Sequence, residues 1–354
     1  MTEQTTRVPV AVVGVGRMGQ HHARTYSGME GAQLVGVVDG DADKAASTAE
    51  AYGTAAFGST DELLAAHPGV KAVSVAVPTA YHRAVAEPLM ERGVSCLIEK
   101  PIAETVADAK AMSAVAAKSS AVLQVGHTER FNPAVRAVSG MDITPRFIEI
   151  DRVSPMTFRS LDVGVVKDMM IHDLDIVLML VRSEIVDVQA TGIAILSEYE
   201  DICNCRLTFA SGCIANLTAS RVALKTERRL RLFSESAYVT LDYQRKSGVV
   251  LRRSDNEDAF QDLREKIRAK ADLSSIAYSD YVQLEKLNMD LPKGQDDPLT
   301  AQLTSFLDAV RTGESPVVSA EDGYAAVDAA ERVIGAMAQH RWQGRSAEGI
   351  LGAE

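Results

Sequence analysis

Val8-Pro9-Val10-Ala11-Val12-Val13-Gly14-Val15-Gly16-Arg17-Met18-Gly19 reads as a short β-branched strand, a glycine-rich turn and the opening of a helix that continues from Gln20 to Ser27. In that order the spacing G-x-G-x-x-G has a physical meaning. The first glycine permits a tight turn, the second lets the backbone approach a pyrophosphate, and the third lets helix and strand pack closely. The pyrophosphate would rest on the amides at the helix N-terminus, beside Arg17 and Met18. Asp39 completes the pattern, at the end of a second strand, 33–38. A carboxylate there accepts hydrogen bonds from the adenosine ribose hydroxyls and repels a 2′-phosphate, which selects NAD over NADP.

Outward from this stretch, strand and helix alternate. Helices are expected over 42–52 and 60–66, a strand over 72–77 stopped by Pro78, and a helix opened by Thr79-Ala80-Tyr81-His82 and ended by Gly93. The strand Val94-Ser95-Cys96-Leu97-Ile98, a helix over 103–118 and a strand over 121–125 follow. Such repetition predicts a doubly wound parallel sheet, in which ligands bind beyond the carboxyl ends of the strands. Glu99-Lys100-Pro101 stands at one of those ends. Pro101 cannot continue the ladder and restricts the backbone of Lys100, so the ammonium is aimed by the main chain.

After Gly126 longer strands take over, at 147–153, 184–196, 202–209, 213–221, 229–233 and 238–243, with hairpin signals at Ser211-Gly212 and Lys246-Ser247-Gly248. The expected architecture is α/β throughout. An N-terminal Rossmann domain with a doubly wound parallel sheet spans 1–122, and a C-terminal α/β domain with a large, mostly antiparallel open sheet spans 123–354. A charged helix over 257–271 reads as an exposed insertion. Helices over 299–311 and 320–340, separated by a turn at Gly313 and Pro316, close the chain.

With 354 residues, 46 % of them hydrophobic and 24 % charged, the chain has the composition of a two-domain globular protein. No apolar run approaches the ~18 residues that span a bilayer. The polar N-terminus lacks the basic and apolar regions of a signal peptide, so the expected compartment is the cytoplasm. Cys96, Cys203, Cys205 and Cys213 fit no metal-site or redox-motif spacing and read as reduced structural thiols; no metal site is expected. A net charge of −11 argues against nucleic acid and membrane surfaces as partners. An anionic small molecule would need a local basic cluster.

One more stretch bears on chemistry: Val165-Val166-Lys167-Asp168-Met169-Met170-Ile171-His172-Asp173-Leu174-Asp175. In an α-helix Asp168 and His172 are neighbours on one face, and Asp175 continues the stripe. A histidine beside a carboxylate has its pKa raised and one ring nitrogen oriented, which suits a general base; the same pair also serves as a structural hydrogen bond. A dinucleotide fold supplies a hydride acceptor but no proton acceptor, and oxidation of an alcohol needs both.

The fingerprint Gly14 to Gly19, Pro78-Thr79 with His82, Glu99-Lys100-Pro101, and Asp168 with His172 together resemble the glucose-fructose oxidoreductase, inositol dehydrogenase and MocA (Gfo/Idh/MocA) family over essentially the whole chain. The resemblance implies an NAD-dependent dehydrogenase acting on a sugar alcohol, in which Lys100 orients the substrate hydroxyl and lowers its pKa, His172 takes the proton and Asp168 supports the site. It also implies nucleotide contacts from Gly14, Gly16, Arg17, Met18, Gly19, Asp39, Pro78, Thr79, His82, Glu99 and Lys100, and a homodimer or homotetramer assembled through the open sheet. Many members carry glycines where this chain has Val166 and Met170.

Within the family, Gly126 to Pro133 and Asp162 to Asp175 are similar to the UDP-N-acetylglucosamine 3-dehydrogenases, which make a 3-keto sugar nucleotide for later transamination, as in lipid A synthesis. A diphosphate then calls for basic groups. Arg130, near Asn132, and the segment 221–231, with Arg221, Lys225, Arg228, Arg229 and Arg231, offer them. The rival readings are a dehydrogenase of a free sugar or inositol and a non-catalytic nucleotide-binding sensor.

Overall fold

Near-continuous burial explains why Val8–Val13 becomes the central strand of a sheet: Val10, Ala11 and Val12 are wholly buried in succession, with helices available to cover both faces. The computed structural model describes residues 7–157, 161–274, 276–289, 297–342 and 345–346. Residues 1–6, read above for a leader signal, lie outside them. The parallel sheet comprises β1 (Val8–Val13), β2 (Ala32–Val38), β3 (Ala55–Phe57), β4 (Ala72–Val75), β5 (Ser95–Glu99) and β6 (Leu123–Gly126). Its order is β3-β2-β1-β4-β5-β6, all parallel, which reverses direction between β1 and β4 and so opens a crevice there at the carboxyl ends.

Helices α1 (Arg17–Gly28), α2 (Ala42–Tyr52), α3 (Thr60–Ala66), α4 (His82–Glu91) and α5 (Val106–Ser119) connect these strands. Asp41, Ser59 and Thr105 cap three of them by accepting from the amides of Lys44, Glu62 and Asp108. Several details differ from the sequence reading: β3, three residues long, was not expected, and α5 begins at Val106 and not at residue 103. Helix α1 begins at Arg17, inside the fingerprint, and Thr79–Tyr81 is a separate 3₁₀ turn ahead of α4.

Helix α6 (Pro133–Ser139) leads into β7 (Phe147–Val153), followed by α7 (Ile171–Val181), β8 (Ile185–Ile193), β9 (Ile202–Phe209), β10 (Ile214–Ser220), β11 (Glu227–Phe233), β12 (Ala237–Asp242), β13 (Ser247–Arg253), α8 (Glu257–Arg268) and β14 (Val282–Lys286). The second sheet runs β14-β13-β12-β11-β7-β10-β9-β8 and is antiparallel except where β7 pairs with β10. Strand β14 lies outside the strands expected from the sequence: its apolar alternation is limited to Val282 and Leu284, and four of its five residues are exposed. Helix α8 has no buried residue and is the exposed element expected there.

The chain closes with α9 (Pro298–Thr312) and α10 (Ala320–Gln339). Helix α9 sends Leu303, Phe306 and Leu307 into one core cluster with Val8, Val10, Val12, Tyr26 and Leu97. The compact units accordingly are not contiguous. One comprises Met1–Asn132, Leu174–Leu178 and Leu291–Arg332; the other comprises Pro133–Asp173, Met179–Asp290 and Val333–Glu354. No helix among the described residues is long and apolar enough to cross a membrane.

Candidate active site

The fingerprint glycines differ in what surrounds them. Gly14 has φ +85°, and a Cβ there would meet Val77 N at 2.7 Å, so the turn after β1 lies against the backbone that leaves β4. At Gly19 a Cβ would fall 1.7 Å from the Gly14 carbonyl oxygen. Gly16 is the opposite case: nothing lies within 4 Å of its would-be Cβ. A cradle that is tight behind and open in front, at the start of a 12-residue helix, fits a pyrophosphate. Asp39 ties the cradle down, accepting from the amides of Val15 (2.8 Å, Oδ2) and Asp41 (2.9 Å, Oδ1). It remains half-buried at the end of β2, where the ribose of a dinucleotide would lie.

At the end of β5 the chain passes from buried Glu99 to half-buried Lys100, with Pro101 joined by a cis peptide bond. Glu99 was read as a nucleotide contact, but its Oε1 lies 3.0 Å from Nε2 of His22, a wholly buried residue of α1. Burial works to raise the pKa of Glu99; the hydrogen bond and charge of His22, then Lys100 and His82, outweigh it and hold the carboxyl below its ordinary range. Gly126 on the neighbouring strand leaves the room, since a Cβ there would sit 2.9 Å from Glu99 Oε1. The His82 ring lies between two loops: Nδ1 is 3.0 Å from the Pro101 carbonyl and 3.1 Å from that of Ile102, and Nε2 is 2.9 Å from that of Val77. Burial pushes its pKa below the usual histidine value, and the neutral ring donates to one of the loops after β4 and β5 at a time. Pro78 and Thr79 stay at the rim of the same loop, exposed and half-buried.

In the second unit, Asp168 and His172 are both half-buried. The helix that carries them is not α-helical at Asp168: Val166–Met170 is a π-helical turn, and the Ile171 amide reaches back to the Val166 carbonyl. The stripe expected from 3.6-residue periodicity is therefore broken before His172. Asp175 also departs from that stripe, because its carboxylate takes two hydrogen bonds from Arg130, at 2.8 and 2.6 Å. Val166 and Met170 are wholly buried, and the Met170 sulfur meets Cys205 at 3.6 Å.

The basic residues expected to meet a diphosphate already have partners within the protein. Arg130 is buried and committed to Asp175 and Asp322 (3.0 Å). Arg221 is buried, with Nε on Asp201 (2.7 Å), Nη1 on the Val163 carbonyl (2.9 Å) and Nη2 on Ser197 (2.8 Å). A guanidinium whose donors already meet buried acceptors has little left for a ligand. Lys225, Arg229 and Arg231 pair with Glu227, Asp151 and Glu149 on the surface. Asn132, also buried, donates to Glu129 at 3.1 Å. The supporting residues His22 and Glu200 carry no signal in the sequence, because their partners lie 77 and 34 residues away. The four cysteines are buried and unpaired.

Residues 8–127 match the oxidoreductase family with an NAD-binding Rossmann fold, and residues 135–240 match the GFO/IDH/MocA C-terminal domain. The UDP-N-acetylglucosamine 3-dehydrogenase of Acidithiobacillus ferrooxidans is 41 % identical over 233 residues, 66 % of this chain and 73 % of that protein. Its crystal structure superposes with a TM-score of 0.80 over 93 % of this chain and 97 % of that one, at 33 % identity. An inositol 2-dehydrogenase of Rhizobium meliloti is 25 % identical over 94 % of this chain and 98 % of that protein. The glycine cradle, its aspartate and these matches together place the chain in the Gfo/Idh/MocA family of NAD-binding oxidoreductases.

Proposed function

We propose that this dehydrogenase oxidises the 3-hydroxyl of UDP-N-acetylglucosamine to a 3-keto sugar nucleotide. The observation that carries the substrate is the likeness to the Acidithiobacillus ferrooxidans enzyme, which extends over both units. NAD, when bound, supplies the hydride acceptor. Gly14, Gly16 and Gly19 with the first amides of α1 hold its pyrophosphate, Asp39 its ribose, and the rim of Pro78 and Thr79 borders it. Lys100 donates to the substrate hydroxyl and stabilises the developing alkoxide. His172 takes the hydroxyl proton, and Asp168 supports the site. Glu99 and His82 shape the Lys100 loop rather than touch the nucleotide. The Rossmann domain thus carries the cofactor, and the C-terminal domain carries the substrate and the face through which a homodimer or homotetramer forms. Buried, unpaired thiols agree with a reducing cytoplasm.

Lys100→Ala and His172→Asn should each lower kcat about 10²- to 10⁴-fold, the usual worth of a proton-transfer group, while NAD binding followed by fluorescence is unchanged. Near wild-type turnover in either variant removes that residue from the chemistry. One observation favours a second reading, oxidation of a free sugar or inositol: the two buried arginines expected to meet a diphosphate are spent on carboxylates.

A further inference from the structure

The helix bearing Asp168 and His172 begins with amides that no residue of its own can accept from. Two of them are met by one distant residue. The Val165 amide donates to the Glu200 carbonyl at 3.1 Å, and the Val166 amide donates to the Glu200 carboxylate at 3.0 Å. Gly164 lets the carboxylate lie flush on the chain, since a Cβ there would fall 2.1 Å from its oxygens. Glu200 is itself held from behind. Its neighbour Asp201 accepts from the amides of Ile195 (2.7 Å), Leu196 (2.5 Å) and Ser197 (3.1 Å) and from Arg221, and Arg221 donates to the Val163 carbonyl at 2.9 Å. Glu200, Asp201 and Arg221 are all buried. The loop 194–201 is thus a bracket that grips the chain at Val165 and Val166, where the π-helical turn begins, while Arg221, tied to the loop through Asp201 and Ser197, holds Val163.

We propose that Glu200 is a positioning residue: it caps the π-helical turn from outside the helix and thereby sets where Asp168 and His172 point. This rests on the catalytic reading of His172 given above. A π-turn is a costly irregularity that persists where its surroundings over-determine it, and here the bracket supplies the surroundings. Releasing the Val166 amide lets the turn relax toward ordinary α-helical geometry. That rotates Asp168 relative to His172, and a misplacement of about 1 Å costs roughly 10²-fold in rate.

The test is a cycle of Glu200→Ala, Glu200→Gln and His172→Asn in the full-length protein, assayed with NAD and UDP-N-acetylglucosamine, or with myo-inositol if that is the sugar turned over. Glu200→Ala should lower kcat about 100-fold with little change in KM and none in the Kd for NAD, and should speed amide exchange at Val166, whose acceptor it removes. Glu200→Gln keeps an acceptor oxygen and should recover most of the rate. In the His172→Asn background, Glu200→Ala should cost almost nothing further, because both act through one group. If His172→Asn is inactive while Glu200→Ala is as fast as wild type, or if the two losses simply multiply, the positioning role is wrong and the base stands. If His172→Asn itself keeps wild-type turnover, the catalytic reading is wrong and the positioning role goes with it. A destabilised Glu200→Ala protein with unchanged kcat per folded molecule would make the bracket structural only and overturn the proposal.

Discussion

Asp39 does two things that the fingerprint alone does not separate. It holds the Val15 amide of the glycine turn and, on the reading above, accepts from the adenosine ribose. Replacing it with alanine should shrink the preference for NAD over NADP, in kcat/KM, by about 10- to 100-fold, the worth of one or two charge-assisted hydrogen bonds; an unchanged ratio would leave Asp39 as a loop support only. Arg130 illustrates the opposite outcome. Its residue type and place in the motif suggested a phosphate ligand, whereas its geometry makes it the counter-ion of Asp175. Arg130→Met should destabilise the protein in urea by about 3–5 kcal/mol, because Asp175 is left charged in a buried place, and should leave KM for the sugar unchanged in the folded fraction. A raised KM with intact stability would restore Arg130 to the substrate. Neither arginine's fate was legible from its own neighbourhood, since Arg130 meets an acid 45 residues away and Arg221 one 20 residues away.

The helix carrying His172 shows how far periodicity reaches. Spacing placed a helix there and marked Asp168 and His172, but a π-turn shifts registry by one residue and is imposed by the bracket of residues 194–201. That bracket has a pH dependence of definite sign. Burial works to raise the pKa of Asp201, but the Leu196 amide, Arg221 and the other donors around it hold the carboxyl far below its ordinary value. Below the unfolded value of about 3.9 the native state therefore binds fewer protons than the unfolded one, and the stability that Asp201 supplies falls with pH. Wild type should exceed Asp201→Asn in urea stability by a constant margin above about pH 5, and the margin should narrow as the solution is made more acid. A margin independent of pH would mean that the carboxylate's charge does not matter. The bounds of α2 and β7, each with one buried face, match the sequence pattern. The strand β14 was not placed, because it is short and exposed and takes its order from a neighbour's ladder.

For the chain taken entire, the remaining choice is between a sugar nucleotide and a free sugar, and a ligand that binds only the folded state reports on it. In the presence of NAD, UDP at about 100 times its Kd should stabilise the protein by roughly 2.7 kcal/mol and raise the Tm. No shift at millimolar UDP would turn the assignment toward a free sugar or inositol. The parallel sheet, its order of strand and helix and the nucleotide fingerprint were all readable in one dimension. They depend on local rules: β-branched runs bounded by glycine and proline, and helices with a wet and a dry side. Which helix covers which sheet was not, and α9 returns across some 290 residues to pack beneath β1. Nor was the use of each buried charge, because an ionised side chain out of water takes whatever counter-charge the folded chain brings to it. Local spacing names the groups able to do chemistry, and long-range packing settles which of them are left to do it.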